Sequence, residues 1–253
     1  MLDSNQIKTI KMKVEPLIRV DGISKRFGGN QAVDHVSFDV PHGIILGLIG
    51  PNGSGKTTVL NMLSGELFPD EGATYLEGRP ITSLSPSQLA HLGVTRMFQM
   101  TRVFGRLSAF DNLLIAGRAM GLTAAEASAR AQSLIQELTL EHVQYLDAGQ
   151  LSGGQKKLLE FGMCFMCPPK IALLDEPFAA VHPVMRETMS RFIQSRNQSG
   201  QTFLLVSHDM PIVKILCNEC ICMNTGKIIS QGLTRTVLED PNVIEAYLGG
   251  DHE

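Results

Sequence analysis

The stretch GPNGSGKT, Gly50 to Thr57, fits G-x-x-x-x-G-K-[ST], a spacing that suits one kind of chemistry. Glycines let main-chain N–H groups close around phosphate oxygens, and the start of a following helix adds a positive dipole. Lys56 then reaches the β- and γ-phosphates of a nucleoside triphosphate, and the Thr57 hydroxyl ligates Mg2+. Gly50, Pro51, Asn52, Gly53, Ser54, Gly55, Lys56, Thr57 and Thr58 together form the candidate cradle for ATP. The bland alternative is a glycine-rich turn with a solvated lysine. It is disfavoured because the apolar run IILGLI leads into the glycines and the helix-like TTVLNML leads out.

Two further stretches put functional groups where chemistry would use them. In LLDEP, Leu173 to Pro177, the apolar run IALL ends in adjacent carboxylates. Taken alone, the pair reads equally well as acids in the first turn of a helix. With a phosphate loop in the same chain, a strand ending in Asp175 delivers a carboxylate beside the phosphates, where it holds Mg2+ directly or through water. Glu176, the next residue, points another way and is the candidate general base for an attacking water. LSGGQ, Leu151 to Gln155, precedes a helical run, so Ser152, Gly153, Gly154 and Gln155 make a second anion-binding helix start. One chain has no need of two such starts.

The elements that must hold these motifs follow from periodicity. LIRV, and VSFDV with Val36, Phe38 and Val40 alternating, predict antiparallel strands joined by FGGN. The run from Ile44 predicts a strand buried on both faces, then a helix that stops at Gly65. Between about Gln99 and Gly149 no buried strand is evident. There Thr123 and Glu126 form a capping-box pattern, with Ala127, Ala131, Leu134, Ile135 and Leu138 following at helical spacing. KKLLEFGMCFMC predicts a helix that runs to Pro168 and Pro169, and IALL, TFLLVS and ECICM predict strands alternating with helices. The expected fold is α/β. It has a P-loop ATPase core with a mixed parallel sheet, an N-terminal antiparallel β subdomain and an inserted α-helical subdomain at about 99–160. Residues 1–15 read as an extension and 16–253 as a single domain.

Composition narrows the function classes. With 253 residues, 43% hydrophobic and 19% charged, the chain has the makings of a substantial core. A net charge of -3 leaves no basic footprint, so no nucleic-acid partner is expected. No apolar run reaches the roughly 18 to 20 residues that span a bilayer, and the N-terminus lacks a signal-peptide pattern, so a soluble cytoplasmic chain is expected. The cysteines, Cys164 and Cys167 and then Cys217, Cys220 and Cys222, look like metal or redox spacing. FGMCFMC suits a buried helix and ICM a strand, so reduced thiols packed as small hydrophobes are the better reading.

GPNGSGKTT, Gln99 in RMFQM, LSGGQ, LLDEP and His208 in SHDM stand in the order and approximate spacing of ABC-transporter ATPase subunits, and the resemblance runs from about Pro16 to Gly249. It implies two copies sandwiching two ATP molecules, with LSGGQ of one touching the γ-phosphate held by the other, which accounts for the second anion site. It also implies that Gln99 senses metal and water, that His208 contacts the γ-phosphate, and that Phe27 stacks on adenine in place of a frequent tyrosine. FGGNQAVDHVSF, HLGVTRMFQMTRVFGRLSAFDNLLIAG and the tail PNVIEAYLGG more closely resemble the ATPases of branched-chain amino acid importers and their urea or amide relatives.

The implied partners are a second ATPase subunit, identical or paralogous, polytopic membrane permease subunits and a solute-binding protein, with this chain on the cytoplasmic face of the membrane. Two departures stand out: the helical insertion is shorter than in many such ATPases, and His182 occupies a position usually held by asparagine or aspartate. The alternatives are a lipid or lipopolysaccharide exporter ATPase and a soluble ABC ATPase outside transport. Met97, Phe98, Met100, Val103, Phe104, Leu107 and Phe110 are more apolar than a surface loop needs, which suits either a groove for a membrane-subunit helix or local core.

Overall fold

Three unbroken apolar strands, buried on both faces, decide how the layers stack. The computed structural model describes residues 15–248; the expectations for residues 1–14 and for the last residues of the tail lie outside that range. Strands β1 (Ile18–Phe27), β2 (Asn30–Val40), β4 (Glu71–Leu76) and β5 (Arg79–Pro80) form a four-stranded antiparallel sheet in the order β2-β1-β4-β5. Strands β3 (Ile45–Ile49), β6 (Val94–Met97), β7 (Ile171–Asp175), β8 (Thr202–Val206), β9 (Glu219–Asn224) and β10 (Lys227–Leu233) form a second sheet, ordered β10-β9-β3-β8-β7-β6. All its neighbours pair in parallel except β10, which folds back on β9.

Every residue of β3, β7 and β8 is buried, as strands covered on both faces require. Ile45, Ala172, Leu174, Phe203 and Leu205 face one core, shared with the helical layer. Leu46, Leu48, Ile171, Leu173 and Leu204 face the other, shared with the antiparallel sheet and helix α1 (Lys56–Leu63). The expected mixed sheet and antiparallel β subdomain are both present.

The insertion is helical. After α2 (Pro86–His91) come α3 (Ala109–Ala119), α4 (Ala124–Glu137) and α5 (Gly153–Met163), with two short 3-10 turns before α5. Thr123 and Glu126 form the expected reciprocal capping box, and Ala127, Ala131, Leu134, Ile135 and Leu138 are all fully buried. Helix α5 ends earlier than its sequence suggests. Phe165 and Met166 donate to carbonyls three residues back, so the chain tightens at Cys164 before it meets the prolines. The remaining helices, α6 (Pro183–Gln198), α7 (Met210–Leu216), α8 (Thr234–Leu238) and α9 (Pro241–Leu248), complete the layer. All five cysteines are free thiols, three of them buried.

Candidate nucleotide site

The phosphate loop leaves the C-terminal end of β3, and α1 starts at Lys56. Two of its glycines are obligatory. Gly50 has φ 141°, and a Cβ there would meet Met223 O at 2.1 Å; Gly55 has φ 105°, and a Cβ would meet Ala32 O at 2.5 Å. Lys56 Nζ donates to the carbonyls of Gly50 and Pro51, both at 2.8 Å, and to Ser54 Oγ at 3.3 Å. Burial pushes its pKa below the usual lysine range, opposed by the nearby charges of Glu176 and Asp175.

Around this loop one cavity of about 630 Å³ is lined by residues 52–58, Phe27, Gln99, Asp175, Glu176 and His208. Five sequence stretches far apart in the chain therefore meet at one edge of the sheet. Phe27 is 51% exposed at the end of β1, so its ring face is open to a flat ligand. Glu176 adopts φ 49°, a left-handed conformation rare for a non-glycine residue, and its N–H donates to Val206 O. That turn separates the two acids: Asp175 stays in β7, while Glu176 Oε2 meets His208 Nδ1 at 2.9 Å. The contact puts the imidazole at ion-pair distance from the carboxylate, on the same cavity.

Asp175 is 1% exposed, and Arg96 Nη2 donates to its Oδ2 at 3.1 Å. Its other oxygen, Oδ1, is buried and has no hydrogen-bond partner among the described residues. Burial raises the Asp175 pKa and the Arg96 charge lowers it. The orphaned carboxylate oxygen of Asp175 and the Thr57 hydroxyl, on residues lining one cavity, form a donor set of the hard oxygen type that Mg2+ takes.

The residues of LSGGQ are not part of this cavity. Ser152 caps α5, its side chain accepting from the Gln155 N–H while the Gln155 side chain accepts from the Ser152 N–H. Gly154 packs so closely on Met185 that a Cβ would meet its sulfur at 2.7 Å. Ser152, Gly153, Gly154 and Gln155 thus form a separate helix start in the same chain.

Three contacts escaped sequence reasoning. Lys157 is buried, and its Nζ donates to the carbonyls of Glu176 at 2.8 Å and Ala179 at 3.0 Å, tying α5 to the turn after the acids. Gly50 N–H donates to Tyr247 Oη at 2.6 Å, so the tail helix α9 touches the phosphate loop. Arg96 holds Asp175. Strand β6 is only half-buried and is not evident from the sequence, so nothing local marks Arg96, Lys157 or Tyr247. In the apolar stretch, Met97 is core and Val103 and Phe110 pack against it, whereas Met100 and Phe104 are exposed and Phe98 lines a second groove.

A phosphate loop at the end of a central parallel strand, with paired acids at the end of a nearby one, defines a P-loop nucleotide-binding ATPase cassette. Residues 33–179 match the ABC transporter family. The chain is 35% identical over 246 residues to the probable branched-chain amino acid transport ATP-binding protein LivG of Archaeoglobus fulgidus, covering 92% of this chain and 95% of that one. It is 37% identical over 251 residues to the high-affinity branched-chain amino acid transport ATP-binding protein LivG of Salmonella typhimurium, covering 93% and 98%. A crystal structure of a nucleotide-free ATP-binding cassette from an ABC transporter aligns with TM-score 0.82 at 34% identity, covering 91% of this chain and 98% of that one. The ADP conformation of such a cassette aligns with TM-score 0.81 at 34% identity, covering 92% and 98%. The chain belongs to the ABC transporter family, as an ATPase cassette.

Proposed function

We propose that this chain is the ATP-binding and ATP-hydrolysing subunit of an importer of branched-chain amino acids, acting on the cytoplasmic membrane face through separate permease subunits. The observation that carries the reading is identity above one third, over more than nine-tenths of the chain, to proteins named for that transport. Those relatives weigh against the exporter and the non-transport ATPase. Among the described residues no helix is long and apolar enough to cross a membrane, consistent with permeases on separate chains.

Each residue has a role in this reading. Phe27 stacks on adenine, residues 50–58 wrap the phosphates, and Lys56 exchanges its loop carbonyls for phosphate oxygens. Thr57 and Asp175 hold Mg2+, which when bound offsets phosphate charge. Gln99 contacts the metal and the attacking water. Glu176 takes the proton of that water, and His208 beside it contacts the γ-phosphate. Ser152, Gly153, Gly154 and Gln155 serve the site of a second copy. The groove beside Phe98 receives a short helix of a permease, and a solute-binding protein delivers the amino acid.

The test is reconstitution with candidate permease subunits in proteoliposomes, followed by ATP-dependent uptake of leucine, isoleucine and valine. Uptake that requires ATP and is lost with Lys56→Ala supports the reading. Permease-stimulated ATP hydrolysis without uptake of any of the three would remove the substrate assignment.

A further inference from the structure

Arg96 connects two places that an ATPase cycle must keep in step. Its side chain is 6% exposed, and its guanidinium is fully engaged on the far end: Nη2 donates to Asp175 Oδ2, and Nη1 donates to Asn61 Oδ1 at 2.6 Å and Ser64 Oγ at 2.8 Å. The Cζ of the same group lies 4.8 Å from the centroid of the Phe98 ring, and Arg102 approaches that ring at 3.7 Å. Guanidinium–aromatic stacking of this kind fixes the orientation of the cation as well as its position.

Phe98, Arg96 and Arg102 line a groove of about 330 Å³ whose other walls are largely apolar, with Ala90, Ala116 and Met120 among them. Three buried side-chain atoms that lack a hydrogen-bond partner among the described residues, Thr95 Oγ1, Arg96 Nε and Glu160 Oε2, belong to residues of this one groove. Unsatisfied buried polar atoms are costly, so each is open to a partner that enters the groove. Asp175 Oδ1 is orphaned at the opposite end of the Arg96 chain of contacts.

We propose that Arg96 is a positioning residue for Asp175, coupling the metal-side acid to the 98–102 loop through the Phe98 stack. The inference rests on the reading of this cavity as a Mg2+·ATP site and of the groove as the permease contact. A metal that engages Asp175 alters the hold of Arg96 on that carboxylate and thereby the support under Phe98. By reciprocity, a helix that presses on Phe98 changes how Asp175 meets the metal. Gln99 lies in the same loop and offers a competing, direct route from metal to loop, so the test must remove it.

The experiment is hydrogen exchange of residues 98–102 in the full chain. It is read with a non-hydrolysable ATP analogue, with Mg2+ and then with the metal chelated. In Gln99→Ala the metal-dependent change in exchange should persist at about fivefold or more, the low end of typical couplings. In Gln99→Ala with Arg96→Lys it should fall below about twofold, because lysine lacks both the planar fork and the stacking face. Should the lysine variant unfold, Phe98→Leu replaces it, since that change cuts the stack and leaves the Arg96–Asp175 pair in place. Loss of the change in Gln99→Ala alone, or its survival without Arg96 or Phe98, overturns the proposal. Affinity for the analogue is measured in parallel. A wild-type chain that binds no Mg2+ complex sinks the proposed function itself, whereas binding without a loop response sinks only the coupling.

Discussion

Lys56 spends its three donors on oxygens of its own loop, two of them main-chain carbonyls, in a place where burial already disfavours its charge. A phosphate offers stronger, charge-assisted acceptors at the same spot. Lys56→Ala should therefore weaken ATP binding by about 10- to 100-fold, the worth of hydrogen bonds to a charged group, as read by nucleotide titration of the isolated chain. Unchanged affinity would remove the loop from the site. Glu176 is a different case, because its carboxylate faces His208 rather than the lysine. Glu176→Gln keeps the side-chain volume and the acceptor but cannot take a proton. Its ATP affinity should stay close to wild type while single-turnover hydrolysis slows by about 10²–10⁴-fold. Hydrolysis within about twofold of wild type would assign the proton to another group.

At the scale of elements, α5 does three jobs along its length: Ser152 opens it, Lys157 grips the turn after the acids, and Glu160 lies under the loop that carries Gln99. Glu160 is 4% exposed, and burial pushes its pKa up from 4.5 to about 7, although the backbone N–H groups of Phe98 and Arg102 pull it down. Between those values the folded chain keeps a proton that the unfolded chain releases, so this group's contribution to stability falls as pH rises from 4.5 to 7. Glu160→Gln should remove that slope. Urea unfolding at pH 7.5 should show the variant gaining about 3 kcal/mol over wild type, relative to their difference at pH 4.5. Parallel curves across the range would mean that the carboxylate is solvated.

The same helix shows what the sequence could and could not carry. Its start after LSGGQ and its helical run were legible, because such patterns are local. Its early end was not, because the tightening at Cys164 precedes the prolines, the only stop signal the sequence carries there. Strands β3, β7, β8 and β9 were legible from apolar runs, but β4, β5, β6 and β10 were not. Their burial is partial and two of them are short, so their identity comes from pairing with distant strands. At the site, the phosphate loop and the paired acids were legible from residue type and spacing, and Phe27, Gln99 and His208 only from the family resemblance, whereas Lys157 and Tyr247 act through contacts that no local pattern announces.

For the whole molecule the question is why the phosphate loop and the LSGGQ helix start do not meet. The cavity holds residues 52–58 and excludes Ser152, Gly153, Gly154 and Gln155. On the proposed function a two-fold pair would resolve this, since each copy would then offer its LSGGQ helix to the nucleotide of the other, and the contact would close on itself. The arrangement makes a mixing experiment decisive. Ser152→Arg should abolish steady-state hydrolysis but leave ATP binding to the monomer within about twofold, because charge and bulk at an exposed cap do not enter the chain's own cavity. Lys56→Ala should also be inactive, for the opposite reason. In a mixed dimer, the intact phosphate loop of the Ser152→Arg copy faces the intact LSGGQ of the Lys56→Ala copy. An equimolar mixture then has half its dimers mixed, each with one complete site of two, so hydrolysis should recover to roughly a quarter of wild type if the sites act independently. Ser152→Arg that also destroys monomer binding, together with no recovery on mixing, would place LSGGQ in the service of its own chain.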